Sequence, residues 1–398
     1  MKRKCDRMKT VNISGRTSVT LMAMSLLLVG IMFSNAVQAI PAFARKYQAE
    51  CSSCHSAWPA LNATGRTFKE NGYRLTRDEK PGFMDWDQTL PVTAFIKGRP
   101  YEKSDNGDKK IRALHEVEVM VAGSMANNFS GWFELEAEDE EGFNVEVKSA
   151  AMGYHPSAAA NLQLSWGGIT GSDPYDVYSD ARKLTRNRAS VYNQAFGEAD
   201  AKGRLRDARQ NITLYGRPIE KLFYSVSISG VSGDNEGEDS DALTGRLAMD
   251  VAPETMVGLT AISGTCKAKA TNVNCTVDRD FTRTGLDAQA DIGNIRLMGA
   301  LLKTTDDNST AVAEEDNNAT YVEARYTFME NGRPSFVPLL RLDSYEQNNG
   351  QDNYDEVTLQ LAYYFAENAR GFIEYWDRSG PTSATDDSVL TLQVEAGF

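Results

Sequence analysis

The stretch Glu356-Val-Thr-Leu-Gln-Leu-Ala-Tyr, residues 356–363, alternates polar and apolar side chains along the chain. The apolar positions are Val357, Leu359, Leu361 and Tyr363, and the polar positions between them are Glu356, Thr358 and Gln360. A period of two is that of a β-strand, in which successive side chains point to opposite faces. One apolar face and one polar face suit a strand that has lipid on one side and water on the other.

The same alternation recurs from residue 91 to residue 398 and predicts sixteen strands. They are expected to start near residues 91, 110, 129, 144, 161, 210, 222, 242, 256, 284, 294, 319, 335, 355, 371 and 388. Short turns alternate with longer polar connections, such as the segment 171–209. A soluble sandwich or propeller does not require that alternation. We therefore expect an all-β fold, a 16-stranded outer-membrane β-barrel over 91–398, with short turns on the periplasmic side and an aqueous lumen.

The composition of the chain excludes two other classes of protein. The chain has 398 residues, a mean hydropathy of −0.44 and a formal net charge of −13. A helical-bundle membrane protein would show several apolar runs of about 20 residues. A nucleic-acid-binding protein would present a basic surface to the phosphate backbone. The sequence therefore predicts no nucleic-acid partner.

Residues 1–39 have the pattern of an export signal. A basic segment precedes an apolar run at residues 19–33, and Val37 and Ala39 are the small residues expected before a cleavage site. A permanent membrane anchor is the alternative, but the run is only about 15 residues long. We expect the mature chain to start at residue 40 and to reside in the bacterial outer membrane.

The sequence Cys51-Ser-Ser-Cys-His55 is a C-x-x-C-H motif, the attachment site of a c-type haem. Two thiols at this spacing reach both vinyl groups of one porphyrin, and the adjacent imidazole coordinates the iron. A zinc site would need more Cys or His nearby, and none occurs before His115. A redox dithiol would need a βαβ context, which the flanking sequence does not offer. The motif predicts one covalent haem on Cys51 and Cys54, with His55 as the proximal ligand.

The sixth ligand of the haem iron is predicted to be Met84. A thioether favours ferrous iron, and Met84 lies between aromatic residues that could shield a porphyrin. His115 and His155 are the alternatives. The segment 40–90 is too short for a robust core of its own, so we expect it to be a haem-binding cytochrome segment that plugs the barrel, with its N-terminus on the periplasmic side or within the lumen.

The N-terminal segment also resembles a known family. The resemblance lies in Pro41-Ala-Phe-Ala-Arg45, the haem motif, Pro59-Ala-Leu-Asn-Ala-Thr-Gly-Arg-Thr-Phe-Lys69 and Gly72-Tyr73. These residues resemble the cytochrome segment of the outer-membrane monohaem cytochrome–porin fusions, the iron oxidases of iron-oxidising bacteria. The similarity is detailed over residues 40–75 and extends over 91–398 only as barrel architecture. It implies a haem on Cys51, Cys54 and His55, extracellular Fe(II) as electron donor and a soluble periplasmic cytochrome as acceptor.

Acidic residues on the predicted lumen face of the barrel fit a cationic substrate. An acidic wall would concentrate Fe(II), and the residues expected to do so are Glu134, Glu136 and Glu138, together with Glu116, Glu118 and Glu146. Cation-selective porins also have acidic lumens. A cation-preferring diffusion porin with a structural or regulatory haem segment is therefore the alternative function. A haem peroxidase is a third possibility, although no distal acid–base pair can be identified.

Cys266 and Cys275 lie nine residues apart in a predicted outer loop. An exported protein folds in an oxidising compartment, so we expect these two residues to form a local disulfide.

Overall fold

The computed structural model describes residues 42–79, 91–125, 128–179, 181–194, 203–231, 241–268, 275–307 and 313–398. The predicted export signal, residues 1–39, and the predicted ligand Met84 lie outside the described residues. Residues 40–398 form one compact unit.

The N-terminal segment consists of short elements. They are helix α1 (Ala42–Tyr47), a 3₁₀ turn (Cys51–Ser53), the paired strands β1 (His55–Ala57) and β2 (Ala60–Leu61), and helix α2 (Ala63–Glu70). Helix α2 begins after Asn62, whose Oδ1 accepts a hydrogen bond from the backbone N–H of Gly65 at 3.0 Å, as expected of an N-cap residue. Across the described residues, no helix is both long and apolar enough to cross a membrane.

Sixteen antiparallel strands close into a barrel. The first eight are β3 (Val92–Ser104), β4 (Lys109–Ser124), β5 (Phe129–Glu138), β6 (Glu146–Tyr154), β7 (Asn161–Gly167), β8 (Arg209–Ile219), β9 (Leu222–Ser229) and β10 (Asp241–Ala252). The others are β11 (Thr255–Cys266), β12 (Arg279–Ile292), β13 (Ile295–Asp307), β14 (Glu314–Tyr326), β17 (Phe336–Gln347), β18 (Asp352–Ala366), β19 (Ala369–Ser379) and β20 (Asp387–Gly397). The predicted fold is confirmed, and every predicted strand start lies within five residues of the observed one.

Side chains of the barrel strands alternate between its two faces as predicted. On β18, Leu359 and Leu361 are 48% and 47% exposed on the outside, whereas Thr358 and Gln360 are buried inside. This arrangement presents apolar side chains to lipid and polar ones to the lumen. The last barrel strand, β20, pairs with the first, β3, so the sheet is closed and no strand edge is left open.

The connections between strands define two ends of the barrel, which we call the short-turn rim and the long-loop rim. The short-turn rim includes the two-residue turns at 253–254, 293–294 and 367–368. It also carries a small hairpin formed by β15 (Met329–Glu330) and β16 (Arg333–Pro334). The long-loop rim includes the connection between β7 and β8, which contains helix α3 (Ser190–Asn193).

The long connection between β7 and β8 folds into the barrel, although its length and polarity predict an outer loop. The Tyr321 hydroxyl on β14 donates to the carbonyl oxygen of Val177 at 2.8 Å. The Gln360 side-chain amide on β18 donates to the carbonyl oxygen of Leu184 at 2.8 Å. The physical reason is that this connection carries apolar side chains that are fully buried in the interior, among them Val177, Leu184 and Val191.

Strand β4 contains a β-bulge opposite β3. Lys97 pairs with Glu116 and Arg99 pairs with Arg112, so one residue of β3 faces three residues of β4. A bulge changes the side to which the following side chains point. As a result the consecutive residues His115 and Glu116 are both buried on the inner side of the wall.

Candidate haem site at the short-turn rim

The haem motif is packed directly against helix α2. A Cβ atom built on Gly65 would lie 2.2 Å from the carbonyl oxygen of Cys54, so only glycine permits this approach. Phe68 of helix α2 contacts Phe43 and Tyr47 of helix α1 edge-on, with ring centroids 4.9 and 5.6 Å apart. The aromatic contacts join the two short helices into one unit that carries the motif.

Cys51 and Cys54 are both unpaired and partly buried. The 3₁₀ turn places them together, since the backbone N–H of Cys54 donates to the carbonyl oxygen of Cys51 at 3.1 Å. Burial and the neighbouring carboxylate of Glu367 raise the pKa of the Cys51 thiol to about 12. Burial also raises the pKa of Cys54. Thiols with raised pKa values are poor nucleophiles near neutral pH, which disfavours a redox dithiol.

His55 has the orientation and protonation of a metal ligand. Its Nδ1 lies 2.9 Å from the carbonyl oxygen of Pro59, and because a carbonyl can only accept, Nδ1 carries the proton. The other nitrogen, Nε2, therefore has the lone pair that a metal needs. Burial lowers the pKa of His55 to about 4, so the imidazole is neutral. A ligating histidine commonly donates its second N–H to a backbone carbonyl in this way, and these residues fit a haem.

The stretch from Cys51 to Leu61 is attached to the inner wall near the short-turn rim. Glu367 accepts from the backbone N–H of Cys51 at 2.7 Å, and the Tyr364 hydroxyl donates to the carbonyl oxygen of Trp58 at 2.7 Å. The Trp58 ring stacks on Phe95 of β3, with centroids 5.6 Å apart. These contacts position the haem motif against β3, β18 and the turn after β18.

Helix α2 is attached to a different part of the wall. Glu70 forms an ion pair with Arg217 of β8, with nitrogen–oxygen distances of 2.7 and 2.9 Å. Arg66 lies 3.2 Å from Glu254 in the turn between β10 and β11. Seven strands lie between β18 and β8 in either direction round the barrel of sixteen, so the two attachments lie on opposite sides of the mouth.

The two histidines considered for the sixth position lie in different places. His155 is buried at the short-turn rim, and both of its ring nitrogens are engaged. Nε2 lies 2.7 Å from the Ser130 hydroxyl and Nδ1 lies 3.3 Å from the Tyr215 hydroxyl. His115 is on β4, and in the part of the chain that the structure describes no hydrogen bond or ion pair joins it to residues 42–79. Neither histidine is therefore positioned to act as the second axial ligand of an iron bound to His55.

A cavity beside the haem segment contains a thioether that the sequence reasoning did not consider. Ala60 and Leu61 line it on one side, and Tyr175 and Arg182 of the inward-folded connection line it on another. Met298 of β13 lines the same cavity. The alternation along β13 is the signal that could have placed Met298 inside the barrel.

The predicted acidic residues lie together on one part of the inner wall. Glu116, Glu118 and Glu136 are buried, with carboxylate oxygens within 4.8 Å of one another. Lys97 contacts Glu116 and Glu118, each at 2.7 Å. The other members of the predicted set differ: Glu134 accepts from Ser149 at 2.7 Å, Glu138 is half-buried and Glu146 is exposed.

The rest of the inner wall is rich in arginine, which the charge pattern did not reveal. Several of these arginines are paired with a carboxylate on a neighbouring inward position, as in Arg246–Asp287 at 2.6 Å and Arg341–Asp343 at 2.6 Å. The lumen is therefore not uniformly acidic. Among the described residues, the close group of three inward carboxylates lies on β4 and β5.

Cys266 and Cys275 are joined in a disulfide at the long-loop rim, with Cα atoms 6.2 Å apart. Both are fully buried, and they lie far along the chain from the haem motif.

Solved structures of porins share this architecture. An anion-selective porin from Comamonas acidovorans matches with a TM-score of 0.58 and 12% identity, covering 77% of this chain and 98% of that chain. The chain has a porin fold. Outer-membrane OmpT of Vibrio cholerae matches with a TM-score of 0.56 at 12% identity, covering 78% of this chain and 98% of that chain. OmpF of Salmonella typhi matches with a TM-score of 0.53 at 15% identity, covering 78% and 98%.

No protein-family model and no curated protein matches the sequence. The porin fold supports an outer-membrane location. Identities of this size show a common fold and carry no information about substrate or cofactor.

Proposed function

We propose that this chain is an outer-membrane c-type cytochrome that oxidises extracellular Fe(II) and delivers the electron to a soluble periplasmic cytochrome. One covalent haem on Cys51 and Cys54, with His55 as axial ligand, would supply the one-electron couple. The observation that carries the proposal is the hydrogen bond from His55 Nδ1 to Pro59, which leaves Nε2 available beside two unpaired thiols. This donor set matches the resemblance to the ferrous iron oxidases.

The attachments of the N-terminal segment support its role as a plug. The segment is bound to β18 on one side of the short-turn mouth and to β8 on the other. Lys69 of α2 also donates to the carbonyl oxygen of Asp173 at 2.6 Å, in the connection that folds into the barrel. Two inward elements in contact would restrict the free diffusion of solutes. By the general rule for outer-membrane barrels, this mouth faces the periplasm, where a soluble cytochrome could reach it.

The acidic residues of the inner wall would attract the substrate ion. Oxidation of a ferrous ion releases one electron and yields one ferric ion, so no proton donor or nucleophile is required. The glutamates on β4 and β5 exceed the lysines that neutralise them, and they would raise the local concentration of cations. This would make the reduction rate depend on ionic strength, because salt screens the attraction between the wall and a cation that approaches through water.

The alternative function is a cation-preferring diffusion channel in which the N-terminal segment is structural or regulatory. The similarity to porin structures favours it. The two functions differ in whether the lumen conducts ions.

Two measurements on the purified protein separate these functions. Oxidised protein mixed with excess Fe(II) in a stopped-flow instrument should show rapid reduction of the haem absorbance, and planar bilayers should show no large open channels. The Cys51→Ala, Cys54→Ala double variant is the control, and it should lose covalent haem staining on denaturing gels. Large channels together with a haem that Fe(II) fails to reduce would establish the diffusion channel instead.

A further inference from the structure

We propose that His115, Glu116 and Glu138 form a binding site for a divalent first-row transition-metal ion on the inner wall of the barrel. One ligand atom from each residue lies within 4.8 Å of the other two. The site is formed by β4 and the end of β5 at the long-loop rim. It does not involve the haem motif, so its occupation is independent of the proposed electron transfer.

The β-bulge in β4 creates this site. In a regular strand, His115 and Glu116 would point to opposite faces, because side chains alternate. The two extra residues that β4 contains opposite β3 place both side chains on the inner face instead. Bulges are frequent next to functional sites, where they redirect a side chain. Here the bulge brings a buried imidazole beside buried carboxylates.

The hydrogen bonding of His115 prepares Nε2 to act as a ligand. Asp139 Oδ1 lies 2.8 Å from Nδ1, whereas Nη1 of Arg112 lies farther from it, at 3.4 Å. Because a carboxylate only accepts, the shorter contact places the proton on Nδ1. No hydrogen bond to Nε2 is present among the described residues, although only 2% of His115 is exposed. A carboxylate behind a ligating histidine is the usual arrangement in metal sites.

Nε2 of His115 faces the carboxylates. It lies 3.9 Å from Glu116 Oε2, too far for a hydrogen bond. A metal ion about 2.1 Å from each atom would fit between them. The other carboxylate oxygen of Glu116, Oε1, accepts from Lys97 at 2.7 Å, so Lys97 orients the carboxylate and leaves Oε2 toward the histidine.

Glu138 completes the set of ligands. In the described part of the chain no basic side chain forms an ion pair with it, whereas its neighbour Glu136 is paired with Lys148 at 2.6 Å. An ion pair between His115 and Asp139 would explain the position of the imidazole. It would not explain why a carboxylate without a basic partner among the described residues lies within 4.8 Å of the other two ligand atoms. A cation between Nε2, Glu116 and Glu138 accounts for both.

The donor set determines the class of ion. One imidazole nitrogen with two carboxylates suits Fe²⁺, Mn²⁺, Co²⁺ or Zn²⁺, whereas Ca²⁺ and Mg²⁺ prefer oxygen ligands alone.

The test is Mn²⁺ binding to the purified full-length protein in detergent. Binding is measured as the decrease of the electron paramagnetic resonance signal of free Mn²⁺. Mn²⁺ is used because it is not oxidised in air. One ion should bind, Zn²⁺ should displace it, and equimolar Ca²⁺ should not. His115→Gln and Glu138→Gln should each weaken binding at least about tenfold, and Asp139→Asn by about tenfold through the orientation of the ring.

The matched control is Glu315→Gln, a half-buried glutamate near the start of β14 at the same rim but on a different part of the wall. It should bind Mn²⁺ as the wild type does. The mobility shift of folded barrels on unheated gels identifies any variant that fails to fold. If His115→Gln or Glu138→Gln fails to fold, the Mn²⁺ affinity of the milder variant Asp139→Asn tests the proposal. The proposal is overturned if wild-type protein binds no Mn²⁺, or if folded His115→Gln and Asp139→Asn bind it with unchanged affinity.

Discussion

At the scale of single residues, the haem motif differs from a reactive dithiol in its protonation. The carbonyl of Pro59 holds the proton on Nδ1 of His55. Burial raises the pKa of Cys51 to about 12 and lowers that of His55 to about 4. Both shifts favour neutral groups, which would suit the formation of thioether bonds by the thiols and the donation of a lone pair by the imidazole in the proposed haem site.

The raised pKa of Cys51 predicts slow alkylation in protein expressed without haem. The thiolate is the reactive form, and at pH 8 a thiol with a pKa of about 12 is ionised about a thousandfold less than a free cysteine. The rate with iodoacetamide should rise about tenfold per pH unit up to the pKa. The variant Thr382→Cys supplies an exposed thiol as the control. Equal rates at the two positions would show that Cys51 is not protected.

The sixth ligand can be assigned by comparing two methionines. Met84→Ala should lower the reduction potential of the haem and abolish the weak long-wavelength band of thioether-ligated ferric haem, since a thioether stabilises ferrous iron. Met298→Ala, on the wall of the cavity beside Leu61, is the comparison. If Met298→Ala produces these changes and Met84→Ala does not, the ligand comes from the barrel wall.

At the scale of elements, helix α2 acts as the support of the haem motif. Its N-cap residue Asn62 also donates from its side-chain amide to the carbonyl oxygens of Ser52 and Ser53, each at 3.2 Å. The start of the helix and the loop between the two cysteines are therefore held together. Because Gly65 lies against Cys54, the packing of the helix controls the shape of the motif.

Gly65→Ala should impair haem attachment without unfolding the barrel. The new Cβ would lie 2.2 Å from the Cys54 carbonyl oxygen, so the helix or the motif must move, at a cost of about 1–3 kcal/mol. The haem-to-protein ratio should fall, while the gel mobility of the folded barrel stays unchanged. Gly245→Ala on β10 is the control, since no atom lies within 4 Å of its added Cβ. A full haem content in Gly65→Ala would contradict this role.

At the scale of the whole molecule, the two rims indicate which end of the barrel faces the periplasm. Short turns and longer connections alternate around most of the barrel. The exceptions are the connection 327–335 at the short-turn rim, which contains the small hairpin, and the short connections 105–108 and 348–351 at the long-loop rim. In outer-membrane barrels the short turns face the periplasm. The haem segment is attached at the short-turn rim, and the metal site that we propose lies near the other rim.

Surface labelling of intact cells tests this orientation. Thr382 lies in the connection between β19 and β20 at the long-loop rim, and Asn331 lies in the small hairpin at the short-turn rim. A membrane-impermeant maleimide should label Thr382→Cys on intact cells and label Asn331→Cys only after the outer membrane is broken. The reverse pattern would place the haem segment on the outer side.

The sequence by itself determined the barrel. Alternation on strands such as β18 is a local property, and lipid on one face and water on the other require it wherever a strand spans the membrane. The spacing of Cys51, Cys54 and His55 is equally local, because one porphyrin must be reached from both thiols. Strand number, approximate boundaries and the candidate haem ligands could therefore be predicted before any tertiary contact was known.

Only the tertiary structure decided which residues meet across the lumen. The bulge that turns His115 inward appears only when β4 is aligned with β3, since strict alternation places His115 on the lipid side. The connection after β7 is polar enough to be taken for an outer loop, yet Val177 and Leu184 bury it inside the barrel. Contacts between distant segments depend on strand register and on competition for buried surface, and neither is encoded in a short stretch of sequence.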